Sequence, residues 1–554
     1  MKMKKYYPLI FIIIIGLLIT SCNKLDTKID TSLTDKNIAT NYNTIWNFGY
    51  APYTYLTSGF YSIDNNLFAA ASDEAEQTAS SSSALLFNQG GWNAYNNPDN
   101  VYSHHYQAIR AANYFLENSI NYKSFLALNR DTLSDRQRQY ILDVQDVAWL
   151  RQESRAIRAY YYFDLAKRYG GVPLIKKTLL PTDNTDLPRA SFDDIINYVV
   201  SEIDAVKDSL QVDWKTFDVS KAGRLTRGAA LAIKSRALLY AASPLHNPTN
   251  DVTKWQKAAA AAHDVIALNQ YSLYTNYQNL FIIDNTVLSS ETIWEIRLGP
   301  TNDLEKKNYP IGTAGGNSGV TPSQNLVSAY EYKGTPDPIN PYANRDPRLG
   351  FSIVKNNDSW NGRTIQTWVG GTDAWNKTNA SKTGYYLKKF LNTNLNLVNN
   401  QTNLRSWIVF RYAEILLNYA EAMNEAYGPD NDNGWGMTAR QAVNAIRNRT
   451  GVAMPAVIAA NQAEMRDRLK QERRIELAFE DHRYWDLLRW KDAESVLNQP
   501  LKGIKVIKNT DGSFSYSEIT VENRVFTAPK MYYYPIPQTE VSKSKGIMTQ
   551  NPGW

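Results

Sequence analysis

Cysteine is almost absent: Cys22 is the only one in 554 residues. One thiol cannot close an internal disulfide, so a packed core must hold the fold. Histidine is nearly as scarce, at five residues. None of the five forms HExxH or another metal-ligand spacing, and His104 and His105 point in different directions on a helix. An excess of charge is missing too. The formal net charge is +6, and it falls to +3 without Lys2, Lys4 and Lys5. That near-balance gives no basic field for a nucleic-acid partner. The apolar run 9–19 holds about eleven residues, short of the roughly 18–20 that span a bilayer.

What the N-terminus does contain is a basic head, that short apolar run and small residues before Cys22, the pattern of a secretory signal. The exit Ile19-Thr20-Ser21-Cys22 resembles a bacterial lipoprotein signal. There the cysteine becomes the first mature residue and is acylated, and several acyl chains hold a protein to a bilayer stably. Residues 1–21 are therefore expected to be the signal, Cys22 the lipidation site, and the polar stretch 22–36 a tether.

The composition is rich in half-polar aromatics: 14 Trp and 36 Tyr against 17 Phe. Trp and Tyr combine a flat apolar face with a polar handle, so they serve helix interfaces and binding surfaces alike. Apolar spacing predicts a helix over 38–56, limited by Pro52, and others over 101–118 and 134–169. Ser134 with Gln137 fits a capping box, and Gly170-Gly171 with Pro173 ends the third. Further helices follow over 191–210, 228–242 and 253–268, the last two Ala-rich. Helical spacing returns at 411–427, 438–448 and 463–490, and a hairpin turns at Asp511-Gly512. Two stretches interrupt this pattern. Residues 69–100 hold a serine run, Gly90-Gly91 and Asn96-Asn97-Pro98 around Trp92. Residues 269–407 scatter Tyr309, Tyr330, Trp360, Trp368, Trp375 and Tyr385 among Gly, Pro, Asn and Thr. Loops of this length with inserted aromatics are read as functional. The fold class is all-α: tetratricopeptide-like helix pairs as a scaffold, with long irregular loops and a few short strands forming the ligand face.

Catalytic patterns are not found. Gly316-Asn317-Ser318-Gly319 misses the register of a nucleophile elbow. Asp430-Asn431-Asp432-Asn433-Gly434 begins like a calcium loop, but Trp435 and Gln441 break the EF-hand pattern. No cofactor is expected, and a looser structural calcium site stays open. Glu472, Glu476, Glu480 and Asp486 with Arg473, Arg474, Arg483 and Arg489 fall three or four apart, so they are expected to pair along one helical stretch as a salt-bridge network joining helices. Asp73-Glu74 and Glu76 are the acid candidates for a glycosidase. A carboxylate accepting sugar hydroxyls explains them as well. A sugar ring offers an apolar C–H face to Trp or Tyr and paired hydroxyls to Asn, Asp or Arg. Trp92 with Asp73, Asn96 and Asn97 has that composition, and so has the group Trp360, Trp368 and Trp375.

Several ordered motifs resemble the SusD/RagB family over essentially the whole mature chain. They are Arg158-Ala159-Tyr160-Tyr161-Tyr162-Phe163 before Tyr169-Gly170-Gly171-Val172-Pro173, then Arg345-Asp346-Pro347-Arg348 and Arg411-Tyr412-Ala413-Glu414. Ile446-Arg447-Asn448-Arg449, Glu472-Arg473-Arg474 and Gln550-Asn551-Pro552-Gly553 complete the order. The resemblance implies a non-enzymatic, lipid-anchored protein exposed on the cell outer membrane. It would capture oligosaccharides and hand them to a SusC-like TonB-dependent transporter. In RagB-like members the ligand is a peptide. The resemblance places the ligand site at Asp73, Trp92 and Asn96, with Tyr330, Trp360, Trp368 and Trp375 from the middle loops. It assigns the Arg and Glu motifs to the scaffold. Two parts, 37–268 and 269–554, are expected to pack as one unit.

Overall fold

The computed structural model describes residues 42–184, 186–282 and 289–554. Cys22, the signal, the tether and the first four residues of the expected helix 38–56 lie outside the described residues.

The periodic stretches form the principal helices: α1 (Tyr42–Tyr50), α2 (Tyr102–Asn118), α3 (Arg138–Tyr169), α4 (Phe192–Val206), α5 (Arg227–Ala242) and α6 (Val252–Ile266). The second half adds α7 (Tyr412–Tyr427), α8 (Ala439–Arg447), α9 (Gln462–Glu476) and α10 (Arg483–Trp490). Pro52 shortens the first: α1 stops at Tyr50, and a 3-10 turn, Ala51–Tyr55, takes the proline in its first turn. The capping box expected at Ser134 is not formed. α3 begins at Arg138, and Gln137 instead donates its amide to the Ser134 carbonyl at 3.3 Å. A full capping box does open α4, between Ser191 and Asp194. α3 ends at Gly170, whose φ of 69° and ψ of −117° suit only glycine.

Consecutive helices pack side by side: α2 on α3, α3 on α4, α5 on α6, α6 on α7, and α7 on α8 and α9. Buried alanines at the α5–α6 contact, among them Ala229, Ala232, Ala258 and Ala262, let the axes approach closely. The chain is mostly helical with a few short strands, as the apolar spacing predicts.

The expected helix 463–490 is broken. Phe479 and Asp481 adopt φ of 66° and 59° between α9 and α10, which no helix continues through. The charged residues there pair mainly across the fold rather than along one helix. Glu476 accepts from Arg348 at 2.8 Å, and from Arg411 and Arg449 at 2.7 Å each. Glu472 accepts from Arg348 and Arg447. All of these groups are buried, and none of the four arginines is on α9.

Three antiparallel pairings organise the interruptions. β1 (Ala75–Gln77) pairs with β3 (Val320–Pro322), with Glu76 opposite Thr321, and so stitches the first loop to the middle excursion. β2 (Thr292–Thr301) pairs with β4 (Asn403–Arg411), bracketing that excursion. Sequence spacing does not announce β2, because Gly299-Pro300 and three register shifts break its alternation. β5 (Leu501–Lys508) and β6 (Phe514–Glu522) form the expected hairpin. One hydrophobic cluster runs from Tyr53 to Met548 and takes residues from both 37–268 and 269–554. Among the described residues, no helix is long and apolar enough to cross a membrane.

Candidate functional site

Four of the seven residues expected at a ligand site lie in the interior. Asp73 is 6% exposed. Arg483 donates to it through Nε at 2.7 Å and Nη2 at 3.0 Å, and Arg474 through Nη2 at 2.6 Å. The two guanidiniums outweigh its burial and hold the carboxyl well below the usual range. Asp73 is therefore a member of the scaffold's ion network. Trp92 is 1% exposed, enclosed by Phe87, Tyr534 and Trp554 at ring separations of 4.8, 5.0 and 4.6 Å. No ring face is left for a ligand. Trp360 is equally buried, edge-on to Tyr309, and Tyr330 is fully buried. The three aromatic corrections share one cause: an aromatic inside a long loop can pin the loop to the body, and here the hydrophobic gain of doing so wins.

The glycosidase candidates fare no better. Glu76 sits in β1, 2% exposed, with Lys382 at 3.3 Å. Glu74 is also buried, and a carboxyl oxygen of its side chain accepts the Phe479 amide. Neither reaches a surface where it could meet a substrate together with Asp73. The open calcium expectation loses its first ligand: Arg440 forks onto both oxygens of Asp430, at 2.6 and 2.8 Å. Among the described residues, no group of three or more His, Cys, Asp or Glu could hold a metal.

The remaining three are accessible. Asn96 is exposed on a tight turn in which Asn93 Oδ1 accepts the Tyr95 and Asn96 amides. Trp375 is 44% exposed and Trp368 is half-buried. Both tryptophans belong to one compact knot, in which the Gly371 amide donates to the Trp368 carbonyl and Ala374 to Gly371. The Val369 amide donates to Val506, fastening the knot to β5. Trp368 then packs on Phe514 of β6, with centroids 5.4 Å apart, and Lys508 lies over its ring at 5.1 Å.

Beside this knot a cleft of about 320 Å³ opens between the loop 339–358 and the hairpin tip. Phe514 and Tyr516, two residues apart on β6, share one strand face and form its aromatic wall with Tyr342. The Tyr342 and Tyr516 rings meet edge to face at 5.5 Å. The lining also carries Asn340, Asn356 and Asp358. Lys355 pairs with Asp358 at 2.9 Å, so the charges at the floor cancel. Burial pushes the Tyr342 hydroxyl well up from its usual range, so it stays a neutral hydrogen-bonding group beside the Tyr385 hydroxyl at 3.2 Å.

Flat rings facing amides and one compensated carboxylate can bind a ligand that has both C–H faces and hydroxyls. One side of the cleft, 339–358, lies in the excursion singled out in the sequence and the other in the hairpin, and its own residues were missed there. The signal that could have found them is the Phe514-Ser515-Tyr516 alternation after the Asp511-Gly512 turn. It places two aromatics on one side of an exposed hairpin.

Comparison with known proteins agrees with the architecture. The family model described as the SusD family matches residues 284–554, and one described as starch-binding associating with outer membrane matches residues 25–239. SusD-like protein P38 of Formosa agariphila is 28% identical over 374 residues, covering 64% of this chain and 68% of that protein. The crystal structure of a SusD-like protein from Bacteroides fragilis superposes with a TM-score of 0.77 at 24% identity, over 94% of this chain and 99% of its own, and shows a shared fold. A second structure from Bacteroides fragilis, named a SusD-like carbohydrate binding protein, has a TM-score of 0.75 at 25% identity, over 92% of this chain and 99% of its own.

Proposed function

This chain belongs to the SusD family, and from that premise we propose that it is a non-catalytic, surface-exposed lipoprotein of the outer membrane that captures oligosaccharides. It delivers them to a SusC-like TonB-dependent transporter. Cys22 carries the lipid, and the stretch 22–36 is the tether that lets the body move over its partner. The observation that carries the ligand reading is the cleft at the hairpin tip, where Phe514, Tyr516 and Tyr342 line one space with Asn340, Asn356 and Asp358 and the charge is compensated. Trp368, packed on Phe514, extends the aromatic surface beside it, so a chain of rings gains more contacts than one.

The test is calorimetric titration of the purified protein with neutral oligosaccharides chosen from a glycan array. Tyr516→Ala and Trp368→Ala are each expected to weaken binding about tenfold, while Trp92→Ala lowers the unfolding temperature. Unchanged affinity in both cleft variants removes the cleft from the reading. An array without hits, together with peptides that copurify with the chain, makes the ligand a peptide. Cleavage of a labelled glycan by the purified protein overturns the non-catalytic assignment.

A further inference from the structure

A second cleft, of about 350 Å³, lies where the two parts of the chain meet. It falls within the roughly 300–1,000 Å³ typical of small-molecule sites. It is lined by the segments 57–62 and 98–104 together with Trp485, Trp407 and Tyr240. None of its residues lines the cleft at the hairpin tip.

Hydrogen-bonding capacity is left unspent here. Asp99 is used by Arg168 and Tyr534, and Asp164 by His105, Lys167 and Arg168. Asp481 is different. Its Oδ2 takes only a long contact from the Ser62 hydroxyl, at 3.4 Å. Its Oδ1 is buried and, among the described residues, finds no hydrogen-bond partner. The carboxylate is held there on a backbone with φ of 59°, a conformation that disfavours any residue with a Cβ. Lys167, whose charge acts on Asp481, lies over the Trp485 ring at 4.3 Å. Its ammonium has one carboxylate contact, at 2.7 Å to Asp164, and three protons to donate. Tyr61, Tyr160 and Trp407 add apolar faces.

The lining carries Asp99, Asp164, Glu480 and Asp481 against Lys167, Arg168 and Arg236, so neither a strong cation nor a strong anion is favoured. Burial pushes Asp481 up to about 7 and Lys167 down to about 8, which weakens both charges further. What fits is a neutral group that donates and accepts at neighbouring positions and has an apolar face.

We propose that this cleft is a second sugar site, which seats one neutral hexose unit with its hydroxyls on the Asp481 carboxyl and the Lys167 ammonium and its C–H face toward the aromatic walls. The site is separate from the cleft at the hairpin tip, and each can fail without the other.

The positive φ of Asp481 supplies a clean variant: Asp481→Gly removes the carboxylate while suiting the backbone better than aspartate does. Methyl glycosides of glucose, galactose and mannose serve as probes, followed by saturation-transfer NMR and calorimetry on the purified protein. At least one is expected to bind. Asp481→Gly and Lys167→Met should each weaken it about tenfold or more, with the unfolding temperature of Asp481→Gly equal to or above the parent's. Trp368→Ala and Tyr516→Ala should leave it within about twofold. Absence of binding by all three glycosides at millimolar concentration overturns the proposal. So does parent-like affinity in Asp481→Gly, or loss of the monosaccharide in the hairpin-tip variants alone.

Discussion

At the scale of single residues, neighbouring acids have opposite fates. Asp73 is matched by two guanidiniums and stays ionised, whereas Glu74, buried beside the Asp73 charge, is pushed up to about 8. Burial is the larger cause for Glu74 and the Asp73 charge the second. An unfolded glutamate titrates near 4.3. Between about pH 4.5 and 8 the folded state therefore holds a proton that the unfolded state has released. Stability falls as pH rises through that window, by up to about 1.4 kcal/mol per unit. Glu74→Gln should remove this slope: its unfolding temperature should match the parent's near pH 4.5 and exceed it increasingly toward pH 8. Parallel curves for the two proteins would rule the assignment out. Asp73→Ala leaves Arg474 and Arg483 buried and short of an anion, a loss of about 3–5 kcal/mol in chemical denaturation. Affinity for glycan should be unchanged, which separates a scaffold role from a ligand role.

At the scale of elements, the scaffold is joined by charge as well as by apolar faces. Glu476 on α9 gathers Arg348 from the excursion, Arg411 from β4 and Arg449 just beyond α8. A buried carboxylate with three guanidiniums is stable only when every partner is present, because each charge has lost its water. Glu476→Gln should destabilise by about 3–5 kcal/mol in urea titration. Surface pairs such as Lys502–Glu518, both half-exposed, contribute at most about 1 kcal/mol, and their removal should be nearly silent. The hairpin β5–β6 serves differently. Ile504 and Val506 of β5 enter the core, and Val506 pairs directly with Tyr516, so Phe514 and Tyr516 stand on that same sheet face and carry it outward to the cleft. Binding side chains that pack against the core beside them are held rigid, which lowers the entropic cost of binding.

At the scale of the molecule, the two parts expected from the sequence share one hydrophobic cluster, and β1 of the first pairs with β3 of the second. Neither part buries its apolar surface alone. A fragment ending at residue 268 is expected to be insoluble or unfolded by circular dichroism, and the whole chain to unfold in one cooperative transition by calorimetry. Two well-resolved transitions would contradict that. The second cleft lies at this same junction, so its walls exist only in the assembled chain. Cys22→Ala, by contrast, should leave the purified protein glycan-competent and release it from the cell surface. Normal retention of that variant would remove the anchor from the proposed function.

The sequence by itself determined where most helices lie, because a 3.6-residue apolar period is a local property, but not the break at Phe479 and Asp481, which leaves that period on both sides. It also determined the family resemblance, the hairpin turn at Asp511-Gly512 and the scaffold role of the Arg and Glu motifs. Tertiary structure alone decided which aromatics face water. Trp92, Trp360 and Trp375 stand in similar Gly- and Asn-rich surroundings, yet the first two are buried and the third is open. Local composition reports that a loop can carry a ring, not whether Tyr534 and Trp554, more than 400 residues away in the chain, will cover it. The same holds for Asp73, whose partners lie about 400 residues along the chain. Burial and charge pairing are sums over contacts distant in sequence, and those contacts exist only once the chain has folded.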